Sequence, residues 1–128
     1  MRNHPARLVT AASAVAAVLG ALVLAPNMAA AAADNSEQSM IKQGKEIAFN
    51  RKKGNCLACH QIDDGTLPGN IGPPLIGMKA RFPDKTKLRQ QIWDATKANP
   101  NTMMPPFGRY HILTQGEINK VVEYIYSL

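Results

Sequence analysis

The run Cys56-Leu57-Ala58-Cys59-His60 constrains this chain more than any other feature, because it uses both cysteines that the 128 residues contain. Two thiols three positions apart, with an imidazole directly after the second, form the attachment pattern of c-type haem. Each thiol adds across one vinyl group of the porphyrin, and the imidazole then falls beneath the iron as a nitrogen ligand. A thioredoxin-like redox pair would sit at a helix start beside a βαβ pattern, and nothing here alternates strand with helix. Structural zinc needs four ligands, whereas His111 stands alone and His4 lies in a segment expected to be removed. A disulfide between the two cysteines would close too short a loop to explain the adjoining histidine. The motif therefore predicts one covalent haem c, with Cys56 and Cys59 as thioether donors and His60 as the proximal ligand.

The N-terminal residues predict a compartment that suits such chemistry. Arg2 and Arg7 form a basic start, Leu8 to Ala25 is an apolar stretch, and small residues run from Ala29 to Ala33. That order is the pattern of a secretory signal peptide. Cleavage is expected after Ala33, which leaves residues 34–128 as one domain. An uncleaved membrane anchor is the competing reading, since the apolar stretch is just long enough to span a bilayer. Both thiols must meet haem outside the cytoplasm, so export and attachment agree on a periplasm or an equivalent space.

So short a domain buries a limited core, and chains of this size often need a metal, a disulfide or a partner for stability. Haem would supply a large apolar plate at the centre. Charge is a weaker guide. Loss of Arg2 and Arg7 removes two of the fifteen basic residues and lowers the formal charge of +6 by two. Two propionates would lower it further. A nucleic-acid partner is excluded by the compartment, and a protein partner with an acidic face is compatible.

Helical periodicity appears three times. The first stretch, about Glu37 to Asn50, carries Met40, Ile41, Gly44, Ile47 and Ala48 on one face. A glycine there is costly unless another helix approaches closely. Arg51-Lys52-Lys53 follow as a solvated helix end, where cations suit the helix dipole. The second stretch starts with Asp84 as N-cap and runs to about Lys97, before Asn99-Pro100; Leu88, Ile92, Trp93 and Ala95 point inward. Trp93 reads as core, with the haem edge as the second choice. The last helix opens with the capping box Thr114-Gln115-Gly116-Glu117 and buries Ile118, Val121, Val122, Ile125 and Leu128. Between the helices lie two irregular segments, Gln61 to Pro83 and Ala98 to Leu113, which hold every proline after Pro26. Loops this long in a small domain are usually functional, and here they would wrap the haem.

The second segment offers the sixth iron ligand. Thr102-Met103-Met104-Pro105-Pro106-Phe107-Gly108 supplies two thioethers, and a methionine opposite histidine raises the potential and suits electron transfer. Met104 is preferred because the diproline after it would hold the sulfur in place; Met103 is the fallback. Met40 and Met78 read as core. His111, three residues before a helix cap, is the weaker bis-histidine alternative.

These elements, with Gly72-Pro73-Pro74-Leu75 between motif and methionine, resemble a class I cytochrome c. The resemblance implies an all-α fold of about three main helices, with long loops wrapped around one covalent haem. It also implies that the Pro73 carbonyl accepts the free N–H of His60, and that the first and last helices cross with Gly44 at the contact. The flanking stretches Gly54-Asn55, Pro68-Gly69-Asn70-Ile71-Gly72-Pro73-Pro74, Met104 to Gly108 and Ile112-Leu113-Thr114 are similar to the SoxX family, over residues 40–128. SoxX proteins are the monohaem subunits of sulfur-oxidising SoxAX complexes. That likeness implies a periplasmic heterodimer with a SoxA-like subunit, oxidative joining of thiosulfate to a cysteine on a SoxYZ-like carrier, and a downstream cytochrome acceptor. Because both cysteines are committed to thioethers, sulfur chemistry would need a thiol on another chain. A freely diffusing class I cytochrome c is the alternative reading, and a catalytic haem with an open iron is a third.

Overall fold

Thr114 and Glu117 cap the last helix reciprocally: the Glu117 amide donates to Thr114 Oγ1 at 3.2 Å and the Thr114 amide donates to the Glu117 carboxylate at 2.9 Å. The computed structural model describes residues 25–63 and 65–128, with side chains from Ala33 onward. Its helices are α1 (Ala25–Phe49), α2 (Met78–Arg81), α3 (Lys85–Trp93) and α4 (Gln115–Ser127), with 3₁₀ turns at Cys56–Ala58 and Ala95–Lys97. Among the described residues there is no strand, and no helix is long and apolar enough to cross a membrane. The apolar stretch of the expected signal peptide lies almost wholly in residues 1–24, outside the described residues.

Helix α4 is the centre of the core. Ile118, Val121, Val122 and Ile125 are buried, and so is Tyr124, which the periodicity left out, while Leu128 is only half-buried. Helix α1 is the reason. A Cβ at Gly44 would overlap the Lys120 carbonyl oxygen, lie 2.6 Å from its carbon and 2.9 Å from Tyr124 Cβ. The helix backbones therefore touch on the side of α4 that carries Tyr124, which widens the buried arc. Phe49 adds a tilted ring contact to Tyr124 with centroids 6.2 Å apart.

Two helix boundaries differ from the expectation. Helix α1 begins at Ala25 rather than near Glu37, since an alanine run is a strong helix former. Residues 33–39 are exposed and packing against the core starts at Ile41; Met40, expected in the core, is half-buried outside it. Helix α3 begins as expected, with Asp84 accepting from the Thr86 amide at 2.8 Å, but stops at Trp93 rather than Lys97. The Trp93 carbonyl, which would continue the helix by accepting from Lys97, accepts instead from the Gly108 and Arg109 amides at 3.0 and 3.3 Å. A further turn, α2, appears inside the segment expected to be irregular. It follows Gly77 in the left-handed region (φ 59°), buries Met78, and is tied to the C-terminus by the Met78 amide donating to Leu128 O at 3.0 Å.

Polar ties hold α3 against α4. Arg89 donates to Asn119 and Gln115 at 2.9 and 3.0 Å, and Lys85 pairs with Glu123 at 2.7 Å. The two long segments leave this helical frame on one side and enclose a cavity of about 670 Å³.

Candidate haem site

The cavity is built from the end of α1. Gly54 packs on that helix, where a Cβ would come within 2.8 Å of Ile47 O, and its amide donates to the same oxygen at 3.2 Å. Asn55 then takes a left-handed conformation (φ 46°) and starts the 3₁₀ turn. The Cys59 and His60 amides both donate to Cys56 O, at 3.2 and 2.9 Å. This compact turn sets Cys56, Cys59 and His60 on one wall of the cavity. No disulfide joins the two cysteines. Burial pushes the Cys56 thiol up to about 11, the reverse of the lowered pKa that a thioredoxin-like pair requires.

His60 Nδ1 lies 2.7 Å from the Pro73 carbonyl oxygen. Pro73 and Pro74 have no N–H, so their carbonyls are the polar handles by which this segment is held. The Pro74 carbonyl accepts from Arg81 Nη1 at 2.7 Å. On either side the Gly72 amide donates to Cys59 O at 2.8 Å and the Leu75 amide to Gln61 O at 2.9 Å. Gly72 lies so close to the imidazole that a Cβ would clash with the ring, reaching 2.8 Å from Nε2. Backbone and ring thus fix one another.

The opposite loop brings both methionines to the cavity wall. Met104 is half-buried against the core, and its amide donates to Thr102 Oγ1 at 3.1 Å; Met103 is 76% exposed. His111 is exposed, adopts a left-handed conformation (φ 55°) and does not line the cavity. Trp93 also lies off the cavity wall. Its ring packs flat on Gly108, where a Cβ would sit 2.7 Å from Cζ3.

The wall fits a flat apolar cofactor with charged edges. Its volume falls in the range of about 300–1,000 Å³ usual for cofactor sites. Met78, Leu88, Ile92, Val121 and Ile125 line the interior, and the cations Arg51, Lys52, Lys53 and Arg81 stand at the margin without a carboxylate among the lining residues. Two thiols, an imidazole and a thioether converge on this space. Among the described residues no three His, Cys, Asp or Glu side chains are grouped to hold a bare metal ion. The zinc reading therefore has no ligand set among the described residues.

The basic turn after α1 has a function beyond solvation. Lys53 pairs with Glu117, which joins the stretch before the haem motif to the cap of α4. The Lys53 ammonium, together with the Thr114 amide, holds the Glu117 carboxyl at about 2, below its ordinary 4.5. A depressed carboxylate stabilises the fold fully above its unfolded pKa and loses that contribution as pH falls through the folded value. Glu117→Gln keeps the capping geometry and removes the charge. It is expected to cost about 0.5–1 kcal/mol at neutral pH, a deficit that shrinks between pH 4.5 and 2. Denaturant unfolding at stepped pH measures it; a deficit independent of pH would remove the ion pair from the account.

Comparison with known proteins agrees with this geometry. The family model for cytochrome c matches residues 41–128. The chain belongs to the cytochrome c family. Haem c is therefore its cofactor, and the single Cys56/Cys59 motif is where it attaches. The fold is similar to that in the crystal structure of SoxXA from P. pantotrophus, with TM-score 0.61 and 29% identity over 67% of this chain and 79% of that one. The likeness makes this a SoxX-like cytochrome c. An uncharacterized lipoprotein of Aquifex aeolicus (strain VF5) is 37% identical over 77 residues, 59% of this chain; the match spans 37% of that relative's length.

Sequence reasoning missed one polar residue of this cytochrome site: Arg81, which lines the cavity and donates to the Pro74 carbonyl, was hidden in a segment read as irregular.

Proposed function

We propose that this chain is the electron-accepting monohaem subunit of a periplasmic SoxAX-type complex, an L-cysteine S-thiosulfotransferase that joins thiosulfate to a cysteine of a SoxYZ-like carrier. The observation that carries the reading is the likeness to SoxXA at 29% identity over 79% of that chain. Joining thiosulfate sulfur to a thiol forms one S–S bond and releases two electrons and a proton. Haem c, when bound, supplies a site that accepts electrons singly and passes them to a downstream cytochrome.

This chain's residues suit relay rather than bond making. Cys56 and Cys59 hold the cofactor, so no thiol remains to carry sulfur. His60 serves as the proximal ligand, oriented by the Pro73 carbonyl that faces its Nδ1 at 2.7 Å; such an acceptor fixes the ring and raises ligand basicity. Met104 is the distal ligand, since its side chain is packed between wall and core whereas Met103 is largely exposed. With haem bound, His60 and Met104 together would hold the iron and leave it to pass electrons rather than bind substrate. Residues 1–33 act as the export signal and residues 34–128 as the cytochrome domain. That one relative is named a lipoprotein supports placement outside the cytoplasm.

Isolation of the tagged chain from the periplasm of thiosulfate-grown cells tests this. A one-to-one complex with a SoxA-like subunit is expected, and thiosulfate should reduce its haem only when the SoxYZ-like carrier is present. A chain that elutes alone and is reduced without them would instead be a freely diffusing carrier.

A further inference from the structure

Asp94 is the buried charged side chain of the described core, 3% exposed, and no part of the site above uses it. It occupies the break between α3 and the Ala95–Lys97 turn. Its carboxylate accepts from the Thr96 hydroxyl and from the Thr96 amide at 3.2 Å. Arg109 Nη1 faces the other oxygen at 3.4 Å and Thr96 Oγ1 at 3.5 Å. The Thr96 contacts come first, with Arg109 adding to them, in holding the Asp94 carboxyl below its ordinary range, so it stays charged.

Arg109 belongs to the methionine loop. On the backbone, the Gly108 and Arg109 amides both donate to Trp93 O, and Gly108 lies flat on the Trp93 ring. The loop is also anchored where it leaves the same turn, by the Asn99 amide donating to Ala95 O at 3.1 Å. Met104 therefore hangs on a span whose two ends are fastened to one short stretch, residues 93–97. The Arg109 contact adds to these backbone ties, because parting it takes one partner from a buried carboxylate. Breaking the helix at Trp93 frees the carbonyl that makes the fastening possible.

We propose that Asp94 and Arg109 are positioning residues, forming a latch that keeps the methionine loop closed and the Met104 sulfur on the haem iron. This rests on the reading of Met104 as the distal ligand. A loosened latch should let the loop open more often, and an external ligand then gains access to the iron at the rate of opening.

The test uses the holoprotein. Met104→Ala is measured first: loss of the weak thioether-to-iron absorption at the red end of the oxidised spectrum supports the ligand reading, and its survival transfers that role to Met103. Arg109→Leu and Asp94→Asn are then mixed with cyanide in the oxidised state. Losing this half-exposed ion pair predicts binding faster by up to about fivefold, with Arg109→Lys close to the native rate. Lys85→Ala, which breaks the distant pair with Glu123, controls for general loss of stability and should not accelerate binding. Arg109 is 52% exposed, so its replacement keeps the test alive if Asp94→Asn fails to fold. Native cyanide rates in a folded Arg109→Leu protein, alongside a Met104→Ala protein that lacks the band, overturn the latch and leave the ligand reading standing.

Discussion

Gly44→Ala is expected to destabilise the folded protein by about 3 kcal/mol, at the upper end of overpacking effects. In a solvated helix the same change stabilises by roughly 1 kcal/mol, so the sign itself is diagnostic. The difference comes from what the new methyl group meets. It would overlap the Lys120 carbonyl and crowd the Tyr124 Cβ, at 2.9 Å. A flexible side-chain tip can swing aside, but a helix backbone cannot. Helices α1 and α4 would have to separate, opening the contact that buries Ala48, Val121 and Tyr124. Gly116 gives the internal comparison, because a Cβ there meets nothing within 4 Å. Gly116→Ala should therefore gain about 0.5–1 kcal/mol. Denaturant unfolding of the two holoproteins measures both, and equal effects of one sign would refute the close crossing.

The second large effect concerns the cofactor. In the double variant Cys56→Ser, Cys59→Ser nothing tethers haem, and the circular dichroism spectrum is expected to lose most of its helical signal. The cavity measures about 670 Å³. Haem covers the lining residues Met78, Leu88, Ile92, Val121 and Ile125, and without it they face water, a loss that a domain this small is poorly placed to absorb. A native-like helical spectrum without haem would show that the helical frame, Gly44 contact included, stands by itself.

Much of the frame was legible because its signals are local. The capping box at Thr114 and Glu117, the Asp84 cap and the apolar spacing from Ile118 to Ile125 each lie within a few turns. The stop of α3 was not legible, because it depends on the Trp93 carbonyl being taken by amides from a loop that returns fifteen residues later. Tyr124 was overlooked for a similar reason: its burial follows from where α1 crosses, not from the periodicity of α4. At the site, the five-residue motif names two thioethers and an imidazole directly. The part of Gly72 could not be read in advance, since a glycine in a proline-rich stretch reads as a turn until the His60 ring is placed against it. The diproline after Met104 favoured it over Met103, and Met104 is the one of the two that packs against the core.

The contact between Gly44 and Lys120 also orders events in time. It joins positions at opposite ends of the domain, and long loops are closed late and slowly. Until the segment around Lys120 docks, the first half of the chain lacks its helix partner. Cys56, Cys59 and His60 lie inside the loop that this contact closes. They therefore remain in open chain, within reach of whatever delivers the cofactor, until the last helix is in place.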